Sequence, residues 1–278
     1  MCKKDGDEKR VFPPQYEAVI REDLAEVLEK SPHEYDLSHS RWRLVDFIGY
    51  LPGVGCRSGV WRVLHRLGFR YRRGCSHQVS PDPWAQEKLQ WIAAVQARAC
   101  QSPQDVVLLW LDELTFYRLP TPSYSWYSGD GRAQKAHLTG GHNTVARIVG
   151  VVNALSGQFD YWLRSKVGES ELRRFYGYLR QRYPQAKEIY VIQDCWPVHF
   201  LPSVCASANQ QGITLVALPT YASWRNPIEK VWRWLKQAVI HMHPWADDWN
   251  RLKQEVQHFL DRFQMPNLAL LRYIGLPY

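Results

Sequence analysis

Three acids in this chain are placed where they could do chemistry. Asp112 closes the apolar run VVLLWLD, Asp194 closes EIYVIQD, and Glu229 stands in RNPIEKVW, with 34 residues between the last two. Acids at two strand ends and one helix start form the oxygen donor set that a two-metal phosphoryl-transfer site needs. Paired Mg²⁺ ions about 3.5–4 Å apart activate an attacking water or 3′-hydroxyl and stabilise the leaving oxygen. On that reading the chain cuts and joins a nucleic acid backbone.

Each acid also has an ordinary structural role open to it. Asp112 could close a turn, and Asp194 could form an Asx-turn before Trp196-Pro197. Asn226 reads as a helix N-cap and Pro227 as the first helical residue, which makes Glu229 the return partner of a capping box. The placement of all three together favours a site. Glu113, His199 and Asn226 are auxiliary candidates. His199, five residues beyond Asp194, could bond a scissile phosphate or a metal-bound water, or serve structure alone. From Glu229, Arg233 and Lys236 follow at i+4 and i+7, which puts a basic face beside the acid; the alternative is a surface Glu229–Arg233 pair. Ile228, Val231, Leu235 and Val239 form the opposing apolar stripe. Trp126 could stack or pack, and Arg132 and Lys135 could reach phosphate. His241 and His243 lack companion cysteines, so no zinc site is expected.

The elements that must hold these residues are legible in the pattern. The run 106–112 reads as a buried strand, 144–153 and 158–164 as a hairpin, and 169–183 as a helix. Further strands follow at 188–194 and 213–219, a helix or loop near 198–211, and helices at 226–241 and 247–263. Antiparallel strands followed by strand–helix alternation give an α/β fold, a mixed sheet flanked by helices, compatible with a ribonuclease-H-like core. Residues 81–104 read as a linker helix ahead of a catalytic domain at 105–278. Residues 1–80 read as a small all-α region. It has a helix over 16–30 (apolar Val19, Leu24, Val27, Leu28), another over 41–51 capped by Ser40, and a third over 59–67 capped by Ser58 and ended by Gly68. The segment FRYRRG then serves as a strand or wing. The last two helices with that extension describe a helix-turn-helix, winged if FRYRRG pairs as a strand.

Charge points the same way. The chain carries a formal +8. Between 41 and 77 stand eight Arg against one acid, Asp46. Clustered guanidinium groups suit phosphate forks, so a polyanion is the expected partner. Arg57, Arg62, Arg66, Arg70, Arg72 and Arg73, with Arg233 and Lys236, are the expected DNA contacts. Six scattered cysteines without a C-x-x-C pair predict neither a disulfide framework nor a zinc ribbon. The sequence has no long apolar run and no apolar N-terminal leader, which predicts no membrane span and no secretory signal.

The segments WLDELTFYRLP, VIQDCWPVHF and LPTYASWRNPIEKVWRWLK, with the 34-residue gap, resemble transposases of the mariner superfamily, in its bacterial insertion-sequence-630 branch. RLGFRYRRG and SPDPWAQEK support the resemblance, which covers roughly residues 31–275. It implies a ribonuclease-H-like core and a DDE-type enzyme. Asp112, Asp194 and Glu229 would be both the catalytic acids and the ligands of two Mg²⁺ ions, for which Mn²⁺ can substitute. It implies a helix-turn-helix that reads terminal inverted repeats, and cut-and-paste transfer of double-stranded element ends into target DNA at a TA dinucleotide. It also implies a homodimer that pairs the ends, working in the bacterial cytoplasm at the nucleoid. The chain departs from the family at Cys195, where Asn is usual, and at Ser223, Trp224 and Arg225. It shows one convincing helix-turn-helix where relatives often have two, so the N-terminal region reads as truncated, with the missing half in an upstream frame. The alternatives are an inactive remnant that only binds DNA and a nuclease of the same fold without strand transfer.

Overall fold

The structure is a computed structural model that describes residues 16–51, 53–72, 80–124 and 135–276. The chain divides into two compact units, Met1–Ser76 and His77–Tyr278.

In the smaller unit, helices α1 (Glu17–Glu29) and α2 (Arg57–Arg66) flank two short 3₁₀ turns, Pro32–Tyr35 and Leu44–Phe47. Leu24, Val27, Phe47, Leu51, Val60 and Val63 meet in one apolar cluster. The helix expected over 41–51 is reduced to the turn at Leu44–Phe47. Asp46 draws the chain back on itself: its carboxylate accepts from the Arg43 backbone N–H at 2.7 Å and bonds His39 Nε2 at 2.8 Å. Gly49, at φ +93°, then ends the turn. Ser40 therefore caps no helix, Cys56 rather than Ser58 precedes α2, and Val19 lies exposed. Gly68 ends α2 at φ +90°, as its position suggests. Residues 69–72 form no strand. Arg70 instead donates to the His65 and Phe69 carbonyls at 2.9 Å, closing the helix C-terminus.

The larger unit is built on a five-stranded sheet in the order β3-β2-β1-β4-β5. Its strands are β1 (Val106–Tyr117), β2 (Val145–Asn153), β3 (Phe159–Arg164), β4 (Glu188–Gln193) and β5 (Ile213–Ala217). The first three are antiparallel neighbours, and β4 and β5 continue parallel to β1. Alternation along β1 sends Leu108, Trp110 and Leu114 to one face and Val107, Leu109 and Leu111 to the other. Both faces are covered, which is why these strands read as continuous apolar runs. α4 (Glu169–Arg182) and α5 (Pro202–Gln210) cover the second face. The first is covered by α3 (Ala85–Gln101), α6 (Ile228–Leu235), α7 (Trp249–Asp261) and α8 (Leu268–Ile274). Helix α3, read from sequence as a connector, puts Ile92, Val95 and Ala99 into this core.

Two expectations about helix and strand ends change. β1 runs on to Tyr117, so Asp112 lies inside a strand rather than at its end; the polar residues after it still pair with β2. Helix α6 passes into a π-helical turn at Lys236–Ile240. That five-residue step buries Ile240 after Leu235, while Val239 is only partly buried.

Candidate active site

Asp112 and Asp194 are brought level by strand register. The last parallel pair of β1 and β4 is Trp110 with Ile192, and each acid stands two residues further along the chain, Asp112 inside β1 and Asp194 just past the end of β4. β4 stops there while β1 continues, which opens a crevice where the parallel strand ends, the usual place for a ligand in such sheets. A cavity of about 340 Å³ at this point is lined by Asp112, Glu113, Thr115, Arg147, Val167, Asp194 and Trp196.

Asp112 is fixed from the helix layer. The Trp232 indole N–H on α6 donates to its Oδ2 at 2.9 Å. Gly150 stands directly opposite Asp112 on β2, and a Cβ there would lie 2.9 Å from Trp232 and 2.7 Å from Phe159. The glycine thus leaves the space through which the indole reaches the acid. Burial, then the charges of Glu113 and Glu229, push the Asp112 carboxyl up to about 8. Glu229 sits one turn before Trp232 on α6, and its charge acts on Asp112 across that turn, although it does not line the cavity. Asn226, expected to cap, reaches further: its Nδ2 donates to the Leu111 carbonyl at 2.9 Å, while its Oδ1 accepts from Ile228 N at 3.3 Å. It pins the start of α6 to the strand beside Asp112, and no capping box with Glu229 forms.

Of the two roles the sequence left open to His199, its surroundings match the structural one. It is fully buried, so it cannot face a phosphate. Its Nε2 lies 2.9 Å from Glu113 Oε1 and its Nδ1 3.1 Å from Asp194 Oδ1. Burial alone would lower its pKa, but the bonds to Asp194 and Glu113 outweigh that and raise it to about 10. Asp194 is also burdened by burial, yet the His199 bond and the Trp196 N–H at 3.0 Å hold its carboxyl below its usual value. The Asx-turn at Asp194 and its cavity position therefore coexist. Its side chain is 43% exposed, which leaves it open to an incoming group.

Among the described residues, no group of three or more His, Cys, Asp or Glu is arranged to hold a metal ion as it stands. The donor chemistry nevertheless suits a hard cation. Asp112, Glu113 and Asp194 offer carboxylate oxygens to one cavity, and Asp112 is crowded by like charge that a divalent ion would relieve. Magnesium needs only one or two carboxylates when phosphates and water complete its shell.

Three contributors were missed in the sequence: Arg147, Trp232 and Gly150. Arg147 is the cation of the cavity and pairs with Thr115 across the β1–β2 ladder. Its signal was a single charge inside the apolar strand VARIVGVVN. Of the expected DNA contacts, Arg57, Arg62, Arg72 and Arg233 are exposed, and Lys236 is partly buried. Arg66 pairs with Glu17 at 3.3 Å and Arg70 is spent on carbonyls. Lys135 is exposed. Arg73, Trp126 and Arg132 lie outside the described residues.

With this geometry in view, the chain can be set beside known proteins. The DDE superfamily endonuclease family matches residues 107–253. The insertion element IS630 uncharacterized 39 kDa protein of Shigella sonnei is 23% identical over 243 residues, covering 86% of this chain and 69% of that protein. The Mos1 transposase paired-end complex with its left transposon end shares the fold at a TM-score of 0.64 and 13% identity, over 99% of this chain and 78% of that one. The Mos1 strand transfer complex does so at 0.54 and 12% identity, over 100% and 82%. A family match over residues 107–253, more than half of the chain, means that this protein belongs to the DDE superfamily endonucleases.

Proposed function

We propose that the chain is a DNA transposase that hydrolyses phosphodiesters at terminal inverted repeats and transfers the freed strand into target DNA. The observation that carries this is the meeting of Asp112, Glu113, Asp194 and Arg147 in one cavity, with the Glu229 charge felt at Asp112. The names of its relatives point the same way: an insertion element protein, and a transposase seen in paired-end and strand transfer complexes, among them one with Mn and one with Mg.

Asp112, Asp194 and Glu229 would hold two Mg²⁺ ions, or Mn²⁺ in their place. When bound, the metal supplies a more acidic attacking hydroxyl and charge neutralisation at the leaving oxygen. The chain's own residues do the rest. Trp232 keeps Asp112 aimed at the cavity, and His199, braced by Glu113, keeps Asp194 there. Arg147 presents a guanidinium to the phosphate. In the smaller unit, Arg57 and Arg62 on α2 and Arg72 beyond it lie against the DNA backbone, although residues 41–51, reduced to a 3₁₀ turn, do not supply the first helix of the helix-turn-helix expected from sequence. End pairing calls for a homodimer on double-stranded DNA at the bacterial nucleoid.

Cys195 gives no reason to prefer an inactive remnant. Its thiol donates to the Leu218 carbonyl at 3.0 Å, and Asp194 still lines the cavity. The test is Asp194→Asn: Mg²⁺-dependent cleavage of end-containing DNA is lost while DNA binding and melting temperature hold. Unchanged cleavage overturns the assignment. Cleavage without joined products would leave a nuclease.

A further inference from the structure

The loop between β5 and α6 has no role in the account above, yet both its ends are tied beside the acids. Cys195, next to Asp194, donates to the Leu218 carbonyl at 3.0 Å. Asn226 donates to the carbonyl of Leu111, next to Asp112, at 2.9 Å. At about 3.5 Å of chain per residue, Tyr221 stays within roughly 10 Å of Leu218, and Trp224 is closer still to Asn226. Each end of the loop is therefore tied next to one of the two cavity acids, although no loop residue lines the cavity itself.

It is also braced. Asp82 accepts from Thr220 N–H at 2.9 Å and from its hydroxyl at 3.3 Å, Ser80 donates to the Thr220 carbonyl at 2.6 Å, and Lys88 anchors Asp82 at 2.6 Å. On the other side of Tyr221, Ala222 is buried. Between these fixed points Tyr221 adopts φ +53°, a left-handed conformation uncommon for a bulky residue. Such strain persists where the surroundings over-determine the backbone. The outcome is exposure: Tyr221 is 79% and Trp224 42% exposed, with Arg225 exposed beside them. Single exposed aromatics are ordinary. Two rings and a guanidinium on a braced loop whose ends are tied beside the two cavity acids are the components of a base-stacking platform, with charge to match phosphate.

We propose that Tyr221 and Trp224 stack on unpaired bases of a DNA strand entering the acid cavity, with Arg225 against its backbone. This rests on the reading of the cavity as a DNA-cutting site. Stacking is tolerant of sequence, so the inverted repeats need not be known to test it.

The test uses the whole 278-residue chain without divalent metal. One probe is a DNA duplex with a single-stranded tail carrying 2-aminopurine; the other is the same duplex fully paired. The expected result is tail-dependent quenching by the unmodified chain, kept by Tyr221→Phe and Trp224→Phe. Affinity for the tailed probe should fall roughly 10-fold in Tyr221→Gly and in Trp224→Ala, with affinity for the paired duplex unchanged. Glycine accepts the positive φ, so that variant removes the ring without added strain. No quenching by the unmodified chain, equal losses on both probes, or a change of oligomeric state in place of a tail effect would overturn the proposal. A failure of the unmodified chain to cut DNA in Mg²⁺ would strike the catalytic reading, and is scored in a separate assay.

Discussion

The indole N–H of Trp232 donates to Asp112 Oδ2 across 2.9 Å, joining the helix layer to the centre of the sheet at the acid itself. Because Glu229 lies three residues earlier on the same helix, this bond sets where both acids stand. Trp232→Phe keeps an aromatic ring in the core and removes the donor. We expect a loss of about 1–3 kcal/mol in stability, from the unsatisfied carboxylate, and a ~10–100-fold loss of cleavage. Urea melts beside a cleavage time course check it; full activity would show that Asp112 needs no such anchor.

Gly150 is the space that the bond requires. Gly150→Ala puts a Cβ 2.7 Å from Phe159 and 2.9 Å from Trp232 in a packed interior. Overpacking should cost about 1–3 kcal/mol and displace the indole, so cleavage falls together with melting temperature. Gly177→Ala, in α4 where nothing lies within 4 Å of a new Cβ, is the matched control and should be neutral or slightly stabilising.

The Glu113–His199–Asp194 chain should act through position. His199→Ala removes the brace and should weaken Mn²⁺ binding by ~10–100-fold, as loss of an outer partner of a metal ligand does. Glu113→Gln keeps a hydrogen-bond acceptor for His199 and should cost less than Glu113→Ala. Isothermal titration with Mn²⁺ reads both, and equal effects of Gln and Ala would remove Glu113 from this role.

Arg147 is expected to meet phosphate. Arg147→Ala should slow cleavage at least ten-fold, about the value of one charge-assisted hydrogen bond, with Arg147→Lys intermediate because it keeps the charge and loses the fork. Thermal stability should change little, since the side chain lines a cavity. Equal rates in all three proteins would reassign it.

The brace under the loop between β5 and α6 carries a pH signature. The Lys88 bond, then the Thr220 and Trp84 N–H groups, hold the Asp82 carboxyl well below its ordinary value of 3.8. A depressed folded-state pKa stabilises fully above the unfolded value and is lost as pH falls through the folded one. The stability gap between the unmodified chain and Asp82→Asn should therefore be constant from neutral pH to about 4 and shrink below it. Melts at pH 7 and pH 3 test this; a gap of the same size at both would exclude it.

The α/β fold and its order of elements were written in local pattern. Continuous apolar runs such as VVLLWLD and EIYVIQD mark strands covered on both faces, and the match of residues 107–253 to the endonuclease family agrees with that reading. Helix 169–183 and the hairpin around Ala154–Gly157 were likewise plain from periodicity and turn residues. The helix over 41–51 was not, because the side chain of Asp46 outcompeted helical propensity through bonds to Arg43 and His39.

What the sequence determined by itself is therefore the inventory: which acids exist, which strand holds Asp112, which strand leads into Asp194, and which helix carries Glu229. Tertiary structure alone decided how they are held. Asp112 is held by a partner far away in the chain, and Asp194 by its near neighbour His199, which is itself braced from far away by Glu113. Trp232 is 120 residues from Asp112, and Glu113 is 86 from His199. Bonds of that span depend on strand register and helix docking, which no local period encodes. The burial that closes His199 off from phosphate, and the space over Gly150 that admits an indole, exist only once both layers have packed.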